Sequence, residues 1–431
     1  MTLPGTASAT APATALATAL ATAPATALAI DGERLLARIR ALGEAGRGPD
    51  GALTRLAASD VDRAGRDQLV AWFREAGLTV RVDRIGNLFG VLEVESDTAP
   101  LMFGSHIDSV VNAGIYDGPY GVLAGLAVIE TLRDAGAPLD RPLVVGAFTN
   151  EEGVRYAPDM MGSLVHAGGL ATDVALATVG IDGTVLGDEL ARIGYAGELA
   201  PGAIAPSAFL ELHIEQGPVL EAEGFRIGAV ADLQGISWQK VRIRGVANHA
   251  GTAPIRMRHD AGLAAARVVT FLRDLVEGSD SVATVGSLRF APDAINVVPE
   301  LAEFTVDLRD PDEATLRARE DALAAYLTEL ETREGVTVET ERLARTEPVH
   351  FDEALVEAIE DAARARSFPC RRMVSGAGHD AQMMARICPA AMIFVPSRDG
   401  ISHNPLEHTD AADLIAGAEV LLDVARRLVT R

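Results

Sequence analysis

The sequence has almost no cysteine and no excess of basic residues. Its two cysteines, Cys370 and Cys388, are too few for a disulfide framework and indicate reduced thiols in a cytosolic protein. Lysine and arginine number 38 against 61 aspartates and glutamates, which gives a formal net charge of -23 over 431 residues. Nucleic acids and anionic membrane surfaces call for a basic face, so neither is expected as a partner.

Long apolar runs are also missing, and no window reaches the length of a membrane span. The first 30 residues form an Ala/Thr/Pro tract without lysine or arginine. A signal peptide needs a basic start and a strongly apolar middle, and this tract has neither. We therefore predict a disordered leader over residues 1–30 and a cytoplasmic location.

What the chain does contain is ample core-forming material, with 48% hydrophobic residues, and a length that favours two domains. Apolar strand patterns alternate with a helical pattern over Leu101–Gly104, Val122–Ala135 and Leu143–Thr149. Further strands are predicted at Phe209–Ile214 and Ala391–Pro396. Such alternation indicates βαβ units, and thus an α/β fold with a mainly parallel sheet and helices on both faces.

The rhythm changes between residues 234 and 345, where the predicted order is β-α-β-β-α-β. This order is that of the ferredoxin-like split unit. Its second helix is predicted over Pro311–Arg333, with Asp310 as the cap and proline at the first position. We predict a catalytic domain formed by residues 31–233 and 346–431, with residues 234–345 inserted as a second domain.

Polar side chains follow the predicted strands at the point where each one ends. They are His106, Asp108 and Asp117 after the first strand, Glu151 and Glu152 after the second, His213 on the third and His403 after the last. In open α/β sheets, ligands gather outside the carboxyl ends of the strands. Imidazole and carboxylate groups are what a borderline divalent metal such as zinc prefers, so these side chains predict a metal site.

The number of candidate ligands favours two metal ions over one. The candidates are His106, Asp117, Glu152, His213 and His403. A catalytic zinc usually has three protein ligands, whereas five suit two ions that share a bridging carboxylate. Two adjacent glutamates cannot face the same way, so one could bind metal while the other acts as general base. Asp108, two residues after His106, fits a role in fixing the imidazole tautomer.

Each of these signals has a less interesting interpretation when it is taken alone. A Glu-Glu pair is more often a solvated acidic turn, and a single histidine at a strand end is more often a satisfied structural residue. Only their combination at corresponding strand ends favours a metal centre.

Nine motifs carry a resemblance to a known family. In chain order they are GSHIDS, YDGPYGVLAG, TNEEGVRYAPDMMGS, LHIEQG, NHAGTAP, INVVP, VDLR, SGAGHDA and SHNPLEH. From about Asp31 to its C-terminus the sequence resembles the M20-type amidohydrolases. It is most similar to their hydantoinase/carbamoylase branch, which includes N-carbamoyl-L-amino-acid hydrolases, allantoate amidohydrolases and β-ureidopropionases.

The resemblance implies a role for each candidate ligand. One metal would be held by His106, Asp117 and His213, and Asp117 would bridge to a second metal held by Glu152 and His403. Glu151 would be the general base. Two divalent ions per subunit are thus expected, with zinc first and manganese, cobalt or nickel as alternatives, because availability decides among them.

The resemblance also implies substrate contacts for Gln216, His249, Asn296 and Arg309, and a pocket-lining loop around Gly378. Arg309 suits a carboxylate, which guanidinium binds bidentately, although a solvated arginine at a strand end is the alternative. His249 could stabilise an oxyanion. The inserted domain would then close over the metals and form a homodimer, with some of these groups supplied by the partner subunit.

The function implied is hydrolysis of the N-carbamoyl group of an L-amino acid to the amino acid, carbon dioxide and ammonia. Trp238 stands where allantoate-cleaving members tend to carry an arginine, which favours a substrate with an apolar or aromatic side chain. Allantoate amidohydrolase, β-ureidopropionase, an aminoacylase or peptidase of the same family, and a non-catalytic binder stay open. His379 and Asp380 are not counted among the ligands.

Overall fold

The computed structural model describes residues 28–429 in two compact units. The main unit comprises the described residues up to 231 together with 351–373 and those from 377 onward. The inserted unit comprises residues 232–350 and 374–376. The disordered leader was predicted for residues 1–30, of which residues 1–27 lie outside the described residues. Within the part that is described, no helix is long and apolar enough to cross a membrane.

The main unit contains most of the secondary structure. Its strands are β1 (Thr79–Val82), β2 (Leu88–Leu92), β3 (Leu101–His106), β4 (Leu143–Phe148), β5 (Ala208–Ile214), the first part of β6 (Ile227–Leu233), most of β15 (Cys370–Ser375) and β16 (Ala390–Val395). Its helices are α1 (Gly32–Gly43), α2 (Asp60–Glu75), α3 (Pro119–Asp134), α4 (Met161–His166), α5 (Thr172–Leu176), α6 (Leu186–Ile193), α7 (Val219–Glu223), α10 (Glu353–Ala365), α11 (Asp380–Met384) and α12 (Ala411–Val429).

The sheet of the main unit has the strand order β1-β2-β4-β3-β5-β16-β6, and β15 also pairs with β6. Its four central strands, β4-β3-β5-β16, run parallel, and the flanking strands pair antiparallel. Every residue of these four strands is buried. Strands covered on both faces read as continuous apolar runs, which is why the sequence predicted them well. The predicted α/β class with a mainly parallel centre is confirmed.

The inserted unit is a smaller α/β layer pair. Its strands are β7 (Gly235–Arg244), β8 (Asn248–His249), β9 (Val282–Thr284), β10 (Leu288–Ala291), β11 (Val297–Val298), β12 (Leu301–Asp310), β13 (Thr337–Thr346) and β14 (Val349–His350). Its helices are α8 (Ala261–Val276) and α9 (Glu313–Glu334).

The main sheet of the inserted unit is antiparallel, with the order β10-β12-β7-β13 and β9 also paired to β12. When β9 and β10 are taken as one interrupted strand, and the two-residue strands β8, β11 and β14 are set aside, the unit has the predicted β-α-β-β-α-β order. Burial alternates strictly along β12, with Phe304, Val306 and Leu308 in the core and their neighbours on the open face. What this unit does, as a lid or as a dimer surface, stays a prediction.

The predicted cap of α9 is wrong. The helix begins at Glu313, and the side chain of Asp312 accepts the hydrogen bond from the Thr315 amide. Pairing between β12 and β7 continues as far as Asp310, so Asp310 is an extended strand residue. Its carboxylate accepts hydrogen bonds from the Ser281 hydroxyl at 2.5 Å and from the Asp312 amide at 2.7 Å.

Candidate metal centre

The predicted ligands come together because four neighbouring parallel strands end at one edge of the sheet. His106 is the last residue of β3, and His213 is the last but one of β5. Asp117 lies in the loop between β3 and α3, Glu151 follows β4, and His403 follows β16. Carboxyl ends of parallel neighbours lie on the same side of a sheet, so residues remote in sequence become adjacent.

Asp117 lies at the middle of the cluster. Its Oδ1 is 3.6 Å from Nε2 of His106 and 3.1 Å from Nε2 of His213. Its Oδ2 is 3.2 Å from Nε2 of His403. The next residue must be glycine, because Gly118 has a φ of 81° and a Cβ there would lie 2.4 Å from the His106 ring. Three imidazoles therefore face one buried carboxylate.

Hydrogen bonds on the far side of two rings determine which nitrogen faces that carboxylate. Nδ1 of His106 lies 3.0 Å from the carbonyl oxygen of Asp108, and Nδ1 of His213 lies 2.9 Å from that of Ile214. A carbonyl only accepts, so each Nδ1 carries a proton, and a neutral ring directs its Nε2 lone pair inward. That lone pair cannot hydrogen-bond to a carboxylate oxygen, so without a cation each ring must take up a second proton on Nε2 to bond to Asp117. A cation between them would satisfy all three groups.

The donors form two overlapping groups. One consists of His106, Asp117 and His213, the other of Asp117, Glu152 and His403, and the atoms within each group lie within 4.8 Å of one another. Asp117 belongs to both. This arrangement fits a pair of divalent cations that share one carboxylate, and the imidazole and carboxylate donors suit zinc, manganese, cobalt or nickel.

The electrostatics of the cluster also fit cations. Burial raises the pKa of Glu152 to about 8, and the charge of Asp117 adds to this shift. Despite its own burial, Asp117 has a pKa well below the usual range because the three histidines around it, protonated when no cation is bound, stabilise its charge. The hydrogen bond to Asp117 raises the pKa of His403 to about 9. Acidic groups are thus crowded beyond what the imidazoles neutralise, which bound cations would relieve.

Glu151, the predicted base, lies next to both groups, because its carboxylate, a nitrogen of His106 and an oxygen of Glu152 lie within 4.8 Å of one another. Its Oε2 is 3.5 Å from Nε2 of His106, and the residue is 8% exposed. Burial raises its pKa well above the usual range, which the positive charge of His106 opposes. A carboxylate with a raised pKa, next to a site that would bind cations, is suited to accepting a proton from a water molecule.

The expected role of the Asp108 side chain is wrong in its detail. The carbonyl oxygen of Asp108, not its carboxylate, receives Nδ1–H of His106, while the closest carboxylate oxygen is 3.8 Å from that nitrogen. The two carboxylate oxygens accept hydrogen bonds from the backbone amides of Glu151 at 3.2 Å and Glu152 at 3.3 Å. The tight turn brings the carbonyl nearer to the ring, so the carboxylate is free to fix the Glu151–Glu152 backbone.

Sequence reasoning missed two residues that contact this centre. Glu407 accepts hydrogen bonds from the amides of Tyr116 and Asp117. The Ser402 hydroxyl lies within hydrogen-bond distance of both Glu407 and Asp117 and can donate to either carboxylate. Both residues lie in the SHNPLEH motif, in which only His403 was predicted to belong to the centre. Gln216, expected to contact substrate, instead donates from Nε2 to Oδ2 of Asp117 at 2.7 Å.

A further cluster behind the centre does not form a third site. Glu211 and His379 lie near His213, with the two imidazole centroids 4.5 Å apart. His213 has no nitrogen left for them, because Nδ1 faces the Ile214 carbonyl and Nε2 faces Asp117. Glu211 accepts hydrogen bonds from the Ser105 hydroxyl and the Ala381 amide. These contacts agree with the prediction that His379 is not a ligand.

The remaining expected residues of the inserted unit are exposed. His249 and Asn296 lie on neighbouring segments, with His249 paired to Val297 and the Ala250 amide donating to the Asn296 carbonyl. Nδ1 of His249 accepts hydrogen bonds from two backbone amides, so Nε2 carries the proton and can donate a hydrogen bond outward.

The predicted pocket-lining loop around Gly378 belongs to the main unit. A Cβ at Gly378 would lie 3.1 Å from the Met160 methyl, so this loop is closely packed.

Arg309 is already engaged in an ion pair. Its Nε and Nη2 donate to the Asp307 carboxylate at 2.8–3.2 Å, and its Nη1 donates to the Gly376 carbonyl at 2.6 Å. The pair lies on the open face of the sheet. Trp238, which is 40% exposed, lies directly opposite Asp307 in the pairing of β7 with β12. Arg309 keeps one further hydrogen on each Nη, a fork wide enough for another carboxylate.

Comparisons with known proteins agree with this geometry. The model of peptidase family M20/M25/M40 matches residues 102–427. The N-carbamoyl-L-amino acid amidohydrolase of Geobacillus stearothermophilus is 39% identical over 398 residues, which cover 91% of this chain and 97% of the relative. The allantoate amidohydrolase of Bacillus subtilis is 34% identical over 403 residues, covering 90% and 96% of the two chains.

Among solved structures, a hydantoinase/carbamoylase family amidase from Burkholderia multivorans superimposes with a TM-score of 0.91 at 42% identity. That match covers 94% of this chain and all of the other. The family match, the sequence identity and the shared fold extend over both units and the whole candidate centre. The chain therefore belongs to peptidase family M20/M25/M40, in its hydantoinase/carbamoylase branch of amidohydrolases.

Proposed function

We propose that this protein hydrolyses the N-carbamoyl C–N bond of N-carbamoyl-L-amino acids with the help of two divalent cations. The observation that carries the proposal is Asp117, whose two carboxylate oxygens face the two donor groups of the centre. The name of the Geobacillus stearothermophilus relative supports the choice of substrate class.

His106, Asp117 and His213 would hold one cation, and Asp117, Glu152 and His403 the other. When bound, the cations would supply Lewis acidity, polarising the carbamoyl carbonyl and lowering the pKa of a water molecule. Zinc is the proposed metal, since the donor set mixes imidazole and carboxylate.

Proton transfer falls to Glu151. Its carboxylate would accept a proton from the water whose oxygen bonds to the carbamoyl carbon. As the C–N bond breaks, the same oxygen of Glu151 would return that proton to the leaving nitrogen. The products are the free amino acid and carbamate, and carbamate takes up a proton and decomposes to carbon dioxide and ammonia. The exposed Nε2–H of His249 would donate a hydrogen bond to the developing oxyanion.

Recognition of the rest of the substrate is proposed for the inserted unit. The free fork of Arg309 would bind the α-carboxylate, and Asn296 would add a hydrogen bond. Gln216 of the main unit would add another. Trp238 lies on the same open face as the Arg309–Asp307 pair and offers an apolar surface at the position opposite Asp307. This placement favours substrates with apolar or aromatic side chains.

We also propose a cytoplasmic homodimer that forms through the inserted unit. The edge strand β10 supports this, because its Leu288 and Phe290 are 39% and 41% exposed. Exposed apolar side chains on a free strand edge invite pairing with a second copy. Light scattering of the purified protein would test the proposal, and a monomer at all concentrations would contradict it.

The decisive test of function combines a substitution with a substrate panel. Glu151→Gln should keep the cation content of the wild type and lose at least about a thousandfold in kcat, within the range that general acid–base catalysis supplies. Activity that survives in this variant would refute the base assignment. The wild type should prefer N-carbamoyl-L-methionine to N-carbamoyl-β-alanine, allantoate and a dipeptide, and a preference for any of the others would replace the proposed substrate.

A further inference from the structure

Glu407 is a buried carboxylate that joins two loops far apart in sequence. It is 6% exposed, and its Oε1 accepts hydrogen bonds from the backbone amides of Tyr116 at 3.0 Å and Asp117 at 3.3 Å. Its Oε2 accepts a hydrogen bond from the Ser402 hydroxyl at 3.0 Å. The same hydroxyl lies 3.1 Å from Oδ2 of Asp117. One side chain thus holds the loop of Asp117 and the loop that carries His403.

The fit around Glu407 is close. A Cβ at Gly114 would lie 2.3 Å from Oε1 and 2.4 Å from Cβ of Glu407, so the Asp117 loop can approach only because residue 114 is glycine. The His403 loop needs such an anchor. His403 itself has a φ of 52°, and its side chain is 50% exposed, whereas His106 and His213 lie on buried strands.

We infer that Glu407, acting with Ser402, is a positioning residue that sets Asp117 and His403 at the spacing the second cation requires. The inference rests on the proposed function, in which Asp117, Glu152 and His403 hold that cation. Glu407 is not a ligand in this arrangement. It acts through the backbone of Asp117 and through the hydroxyl of Ser402.

The two cation sites should depend on Glu407 to different degrees. His106 and His213 are fixed by their own strands and by carbonyl partners of their Nδ1 atoms. His403 lies in a loop rather than on a strand, so its position depends on the contacts of Ser402 in that loop. Hydrogen-bond partners of metal ligands typically change metal affinity about 10–100-fold when they are removed. Loss of Glu407 should therefore weaken the second cation far more than the first.

The test measures cation binding directly and does not depend on turnover. Apoprotein prepared with a chelator would be titrated with Zn²⁺ against a chromophoric competitor, giving the Kd of each cation. Glu407→Ala should raise the Kd of one cation by at least about tenfold and that of the other by less than about threefold. Ser402→Ala should raise the Kd of the same cation by a smaller factor. Glu407→Gln keeps an oxygen for the two amides and should restore part of the loss.

Glu130→Gln is the matched control. Glu130 is also 6% exposed, but its carboxylate pairs with Arg38 and has no contact with the centre. This variant should lose thermal stability and keep both Kd values. If folded Glu407→Ala binds both cations with wild-type affinity, or weakens both equally, the inference is overturned while the proposed function stands. A wild type that binds fewer than two cations overturns both.

Discussion

Replacing Arg309 with lysine tests how the substrate's carboxylate is recognised. A guanidinium has five N–H donors, and three of them are used by Asp307 and the Gly376 carbonyl. The two that are left can form two charge-assisted hydrogen bonds, worth about 1.5 kcal/mol each. Together they amount to about 3 kcal/mol, or about 100-fold in kcat/KM. The negative charge of Asp307 offsets part of this, so we expect a loss of about 10–100-fold.

Lysine brings one point charge, which cannot serve Asp307 and a substrate carboxylate with the same geometry. The assay compares N-carbamoyl-L-methionine with its carboxamide, which has no negative charge to bind. Arg309→Lys should lower kcat/KM for the acid by about 10–100-fold. The kcat/KM for the carboxamide should change by less than about threefold, since an uncharged group gains much less from hydrogen bonds to the guanidinium.

Arg345→Lys is the control for a general loss of packing. Arg345 also forms ion pairs in the inserted unit, with Glu313 and Glu320, but lies outside the proposed substrate contacts. It should not change the ratio between acid and amide. If Arg309→Lys lowers both substrates equally, the carboxylate is bound elsewhere and the assignment of Arg309 fails.

Three further predictions concern the main unit. Gly118→Ala should lower both the cation affinity and the melting temperature. A positive φ costs an alanine about 1 kcal/mol, and its methyl group would also clash with the His106 ring. Titration with Zn²⁺ and calorimetry would measure the two effects, and an unchanged cation affinity would contradict the prediction. Removing cations with a chelator should lower the melting temperature, and adding Zn²⁺ back should restore it. A cation present at about 100 times its Kd stabilises the folded protein by about 2.7 kcal/mol. Equal melting curves with and without Zn²⁺ would refute the predicted metal site. Burial raises the pKa of Asp83 to about 7, so between about pH 4 and pH 7 the folded protein keeps a proton that the unfolded chain has lost. The free energy of unfolding should therefore decrease as the pH rises from about 4 to about 7. Denaturant titrations should show a smaller decrease for Asp83→Asn than for the wild type.

The sequence was most informative where one physical rule determines both where a strand lies and which way it runs. The parallel strands β3, β4, β5 and β16 are buried on both faces, so their apolar runs are unmistakable. Once they are placed, the strand-end rule brings His106, Asp117, Glu151, His213 and His403 to one edge without any knowledge of the loops.

It was least informative where the outcome depends on atoms rather than on residues. Whether the carbonyl or the carboxylate of Asp108 meets His106 is decided by a turn of two residues. The cap of α9 moved from Asp310 to Asp312 because β12 continues pairing with β7, a contact that no local pattern reveals.

Long-range hydrogen bonds were beyond prediction altogether. Glu407 and Asp117 are separated by 290 residues, and nothing in either motif indicates that one fixes the other. The pairing of Arg309 with Asp307 is local, yet on sequence alone Arg309 could equally have been free for a ligand or fully solvated.

The central claim is that two divalent cations share Asp117. Crystals of the protein prepared with zinc should be measured on both sides of the zinc absorption edge. The anomalous difference map should then show two peaks, one beside His106 and His213, the other beside Glu152 and His403, with Asp117 between them. A single peak, or peaks that do not flank Asp117, would contradict the claim.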